Sequence, residues 1–205
     1  MQFKSNNAQL YIPDGTPEAD AVARTTHLAI GAHQDDLEIM AMEGILQCFQ
    51  KPDKWFTGVD VTNGAGSSRT GAYADYTDEQ MQQVRIEEQK KAAYVGGYAA
   101  QFLLGYPSSA VKSSANTDPV DDILAILKAT KPQVVYTHNL ADKHTTHIGV
   151  AVKVIAALRQ LPEADRPQHV YGCEVWRDLD WMIDADKVAF NPVSYTHLRA
   201  HETKA

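Results

Sequence analysis

"THLAIGAHQDDLEIMAMEGILQCFQ", residues 26–50, decides the fold. Its opening, Thr26–His33, is apolar and uncharged through Leu28, Ala29 and Ile30, and reads as a buried strand. From Leu37 to Gln50 the apolar residues recur at helical spacing. Between strand and helix stand His33, Asp35 and Asp36. Two adjacent carboxylates repel each other, and a strand end that needed only a polar stop could use Gly, Asn or Ser. A metal cation is the obvious partner for them.

Working outward, the same alternation repeats. "WFTGVDVT" (residues 55–62) reads as a second strand, followed by the Gly/Ser-rich loop "NGAGSSRTGAY". Residues 77–97 form a helix with both end signals: Thr77 as N-cap, acids in the first turn, and Gly96 and Gly97 at the close. "AQFLLG" is a short third strand, and "DPVDDILAILKAT" a helix with Pro119 near its first turn. "PQVVYTH" is a fourth strand, "HIGVAVKVIAALRQL" another helix, and "QHVYGCEVW" a fifth strand. The pattern predicts an α/β fold: a doubly wound, mostly parallel sheet with helices on both faces. Strand order is not readable from it.

Composition narrows the function classes. The chain has 205 residues, 44% hydrophobic and 22% charged, as in ordinary globular proteins. A net charge of -7, with Lys90–Lys91 as the one short basic cluster, argues against a nucleic-acid partner. No apolar run approaches membrane-spanning length, and the polar N-terminus has no signal-peptide core. Cys48 and Cys173 form no CxxC, so reduced thiols and a cytoplasmic location are expected. Neither a homo-oligomer nor a monomer is excluded.

In open α/β sheets ligands bind beyond the carboxyl ends of the strands. Three polar stretches fall there: "HQDD" after the first strand, "NGAG" after the second, "HNLADKHTTH" after the fourth. His33 and Asp36 are three apart, as are His144 and His147. A set of His, His and Asp is the usual form of a catalytic zinc site. With two acids at 35 and 36, one can bind metal while its neighbour acts as general base. Two of the stretches have plainer readings: HxxD as a helix cap, and NGAG as a turn made by Gly64 and Gly66. No GxGxxG follows the first strand, which disfavours a dinucleotide site. His138 begins the loop after the fourth strand, close to the site, and is not counted as a ligand. His27 and His169 read as packing or surface residues.

Together these motifs resemble the PIG-L/LmbE-like deacetylases. "AHQDDLE" is similar to their AHPDDxE, "HNLADKHTTHIGVA" to their HxxxDxHxDHxxxA, and "VRIEEQKKAAYVGG" to their RxxExxxAxxxLG helix. The resemblance covers roughly Thr26 to Trp181. It implies a Rossmann-like fold and zinc-dependent (Zn2+) removal of acetyl groups from N-acetylated sugars such as N-acetylglucosamine conjugates. Carried over by position, His33, Asp36 and His147 would bind zinc, and Asp35 would be the general base. His144 would stabilise the oxyanion or protonate the leaving amine. Arg85 would hold the substrate with Glu88 beside it, the alternative being a solvated helix face. Glu38 would orient the turn. Two other readings remain: an amidase acting on a larger sugar conjugate, and a zinc-bearing sugar-binding protein without turnover.

The chain departs from the family pattern at two positions. Gln34 stands in place of the proline, which leaves the turn less stiff. Thr146 stands in place of an aspartate, so His144 is expected to have a lower pKa than in relatives. Trp176, Trp181 and Tyr171 could stack on a sugar ring, although core packing is the expected use. After Pro192 the text changes to "VSYTHLRAHETKA", polar and non-periodic, resembling translated adapter read-through. Residues 1–192 are therefore read as a single domain lacking its natural C-terminus, and 193–205 as a non-native tail. Its His197 and His201 are set aside as ligands.

Overall fold

The computed structural model describes residues 1–175. Trp176, Trp181 and the tail 193–205 lie outside the described residues. The strand at the head of the opening stretch is β2 (His27–Gly31), buried along its whole length. The second expected strand is β3 (Phe56–Thr62), the third β4 (Ala100–Tyr106), the fourth β5 (Val134–His138) and the fifth β6 (His169–Cys173). A further strand, β1 (Gln9–Tyr11), lies in the N-terminal segment. The order across the sheet is β1-β4-β3-β2-β5-β6. β1 pairs antiparallel with β4, and the other neighbours are parallel.

Both faces are covered. Side chains alternate across a strand, so Leu28 and Ile30 face one side of β2 and Ala29 the other. On the first side, Leu28, Ile30, Val59, Val61 and Phe102 pack with residues of three helices. These are α1 (Glu18–Ala23), α6 (Asp118–Thr130) and α7 (Thr145–Arg159). α5 (Ser108–Lys112) adds Val111 to the same cluster. On the second side, Ala29, Phe56 and Tyr136 meet α2 (Asp36–Met40), α3 (Met42–Cys48) and α4 (Asp78–Gly96). The expected single helix over residues 37–50 is thus two short helices. Ala41 leaves helical geometry between them (φ -117°, ψ 20°). The break lets Gly44 sit against the Tyr136 ring, where a Cβ would lie 2.5 Å from a ring carbon.

The end signals of α4 are as expected. Thr77 accepts the Gln80 N–H while the Gln80 side chain accepts the Thr77 N–H, and Gly97 closes the helix at φ 63°. Pro119 lies in the first turn of α6. Tyr171, for which core packing was expected, is exposed and stacks on Tyr136 at 5.5 Å; among the described residues β6 is the last strand of the sheet. No described helix is long and apolar enough to cross a membrane.

The strand order locates the crevice. From β2 the chain moves outward through β3 and β4, then returns to place β5 on the other side of β2. The carboxyl ends of β2 and β5 therefore flank the topological switch point, where open α/β sheets bind ligands.

Candidate metal centre at the β2–β5 switch point

The turn after β2 brings His33 and Asp36 to the crevice, and the loop after β5 brings His144 and His147. Neither acid caps α2: Asp35 occupies the N-cap position without a side-chain cap hydrogen bond. The Asp36 Oδ2 instead accepts the His33 N–H at 2.7 Å.

Three donor atoms then form a triangle. His33 Nδ1 lies 3.3 Å from Asp36 Oδ2 and 3.2 Å from His147 Nε2, and His147 Nε2 lies 3.5 Å from Asp36 Oδ2. Ligands at about 2.0–2.2 Å around a tetrahedral centre are about 3.3–3.6 Å apart. The triangle fits one face of such a tetrahedron, and the donors are two imidazoles and a carboxylate, which suit zinc.

The rings have fixed roles. His147 is buried, and its Nδ1 is 2.9 Å from Asp142 Oδ2, so its N–H faces the acid and its Nε2 lone pair faces the triangle. Asp142 Oδ1 also accepts the His144 N–H at 2.7 Å, tying the loop to the helix start. Asp142 was not among the sequence candidates. The aspartate of the HxxxDxHxDH pattern is its signal, and a second carboxylate behind a ligand histidine is a recurrent device.

A second cluster, Asp36, His138 and His147, is fully buried. Its His138 Nε2 accepts the Ala32 N–H at 2.8 Å, which occupies the lone pair that a metal would need. His138 stacks flat on His147 at 4.0 Å and supports the ring from behind. His144 also groups with His33 and His147. Its Nδ1 accepts the Thr146 N–H at 3.3 Å, which places its own ring N–H on Nε2, as a donor.

Charge balance follows from burial. Burial raises the Asp36 carboxyl, but the imidazoles of His138, His33 and His147 more than offset it, and the group is held well below the ordinary carboxylate range. Burial lowers His147, and His138 lowers it further, which keeps the ring neutral as a ligand requires. Burial and then His33 lower His144.

Asp35 stands at the mouth with φ 88°, in the left-handed region. A non-glycine residue there costs on the order of 1–3 kcal/mol and persists only when its surroundings enforce it. Arg85 supplies part of that hold. One guanidinium nitrogen donates to Asp35 Oδ2 at 2.8 Å and also to the Gln34 carbonyl, and the other terminal nitrogen pairs with Glu88. Arg85 is therefore no solvated helix-face residue: it grips the turn. Gln34 is buried, its amide donating to the Thr62 carbonyl at 3.1 Å, so it packs the turn where a proline would stiffen it. Gly64 has φ 72° and lies against Gln34 and Arg85, where a Cβ would be 2.6 Å from Gln34 Oε1. The NGAG stretch thus works at Gly64 as a turn under Arg85.

Beneath the site is a buried polar layer. Glu38 Oε1 accepts from Tyr98 Oη at 2.7 Å and from Gln89 Nε2 at 3.0 Å. Gln101 Nε2 donates to Asp60 Oδ2 at 3.2 Å. Burial, then the carboxylates of Glu38, Asp36 and Asp35, push the Asp60 carboxyl well above the usual carboxylate range. Asp60 looked like an ordinary strand residue in the sequence.

The family model for PIG-L, described as GlcNAc-PI de-N-acetylase, matches residues 28–158. The chain belongs to the PIG-L family. Its fold is also that of several solved structures. N,N'-diacetylchitobiose deacetylase from Pyrococcus horikoshii is 17% identical with a TM-score of 0.62, covering 88% of this chain and 71% of that one. GalB, the 4-carboxy-2-hydroxymuconate hydratase from Pseudomonas putida, is 20% identical with a TM-score of 0.60, covering 80% and 74%. The conserved protein TT1542 from Thermus thermophilus is 18% identical with a TM-score of 0.57, covering 73% and 66%. The chain thus spans about two thirds to three quarters of the length of these neighbours.

Behind the ligand triangle, the Asp142 carboxylate has a measurable consequence. Asp142→Ala should weaken zinc binding by about 10- to 100-fold, the usual effect of losing the acid behind a ligand histidine. Competition with a chelator of known affinity measures it. Unchanged affinity would mean that Asp142 only shapes the loop.

Proposed function

We propose that this protein hydrolyses the acetamide of an N-acetylated sugar of the N-acetylglucosamine type, releasing acetate and an amino sugar. A zinc ion would be held by His33, Asp36 and His147. The observation that carries the reading is the donor triangle, with edges of 3.2–3.5 Å, flanked by Asp35 on one turn and His144 on the other.

When bound there, the ion would supply Lewis acidity for the carbonyl and the attacking water. Asp35 takes the proton from that water as it adds to the carbonyl carbon. Arg85 holds Asp35 Oδ2, so Oδ1 would be the oxygen that takes the proton. The Nε2–H of His144 donates to the carbonyl oxygen as negative charge develops there. When the C–N bond breaks, Asp35 returns the proton it took from the water to the nitrogen, which leaves as the amine. Arg85 would also meet the sugar hydroxyls of the substrate.

The comparisons support this reading through the family and through neighbours named as deacetylases. GalB is named as a hydratase, so the scaffold also hosts water addition of another kind, and the reaction has to be assayed rather than read from the fold. The test is a panel of N-acetylglucosamine conjugates incubated with the zinc-loaded protein, with acetate and primary amine both measured. Equimolar release is the expected result. Release of longer acyl groups in preference to acetate would favour an amidase. Stoichiometric sugar binding with no acetate from any conjugate would make it a binding protein.

A further inference from the structure

α4 turns one stripe toward the metal turn at four-residue intervals: Met81, Arg85, Gln89 and Ala93. Gln89 is 1% exposed, an uncharged amide on the buried face of a helix. Its two ends do different work. Oε1 accepts the Asp35 N–H at 3.2 Å. Nε2 donates to Glu38 Oε1 at 3.0 Å and reaches Gln101 Oε1 at 3.4 Å. The amide cannot usefully turn over. Glu38 offers an acceptor and Asp35 a donor, so the NH2 must face Glu38 and the oxygen must face Asp35. Tyr98, donating to the same Glu38 oxygen, braces the chain from below.

We propose that Gln89 is a positioning residue for Asp35. Its side-chain oxygen fixes the Asp35 N–H and so maintains the left-handed backbone from which the carboxylate reaches Arg85. Arg85, one turn earlier on the same stripe, fixes the carboxylate itself. The residue is held at two points, main chain and side chain, by one face of one helix. The catalytic part of the proposal rests on the reading of Asp35 as the base.

Gln89→Met keeps the size of the side chain and removes the acceptor. In the zinc-loaded protein, the Asp35 amide should exchange its hydrogen faster than in wild type. The kcat for acetate release from N-acetylglucosamine should fall by about 10- to 100-fold, the scale of a small misplacement of a catalytic group. KM and zinc content should be unchanged. Combining Gln89→Met with Asp35→Asn should lose no more than Asp35→Asn alone, because both act through one group. Unchanged amide exchange, or losses that multiply in the double variant, would overturn the proposal and leave the base reading standing. Full activity in Asp35→Asn alone would overturn the base reading and this proposal with it. If Gln89→Met does not fold, Gln89→Asn, which draws the amide back by one methylene, carries the same comparisons.

Discussion

In Asp35→Asn, acetate release is expected to fall about 100-fold or more, the usual scale for losing a general base. The substitution keeps the shape of the side chain and one oxygen for Arg85, but removes the atom that can accept the water's proton. Asp35 contributes no atom to the donor triangle, so zinc should remain bound at one per chain. The pair of measurements matters more than either alone. Lost activity with zinc retained separates base from ligand. Near-normal turnover with zinc bound would move the base role elsewhere, with His144 the first candidate. Loss of zinc would put Asp35 in the coordination sphere.

In His147→Ala, zinc occupancy should fall sharply and activity should be lost with it. The substitution leaves His33 and Asp36, two ligands on one turn, where a catalytic zinc site takes three. It also strands Asp142, whose Oδ2 loses its ring partner in a buried position, and removes the ring on which His138 stacks. A stability loss of about 1–3 kcal/mol is expected from the stranded acid alone. Metal analysis of the purified variant checks the first expectation and urea unfolding the second. Stoichiometric zinc in His147→Ala would show that the ligand set is wrong.

Much of the fold could be read from local pattern. The five longer strands alternate with helices that carry their own end signals, such as Thr77 and Gly97 on α4, and these act within a few residues. The order of the strands could not be read. Pairing is decided by which faces cover each other across the whole sheet, and no local pattern records it. β1 was missed because three residues in a polar segment become a strand only by pairing with β4. The split at Ala41 was missed because apolar spacing continues across it. At the site, His33, Asp36, His144 and His147 were legible because titratable groups at strand ends are rare without a purpose. Asp60, Gln89 and Gln101 were not, since a buried polar residue looks like an exposed one until its partners are known.

The donor triangle joins two turns that are remote in the chain: His33 and His147 are 114 positions apart. A cation gripped by both would be a reversible cross-link, closing a loop as a disulfide does. In the chain-entropy account, a bridge across a loop of about 100 residues is worth about 4.7 kcal/mol, provided that it forms only in the folded state. The strand that completes the sheet beyond β5 and the helix that covers it follow the second turn, so they would be fastened through it. The ion would then be a clasp for the fold as well as a reagent, and a cell that withdrew it would weaken the protein and silence it in one step.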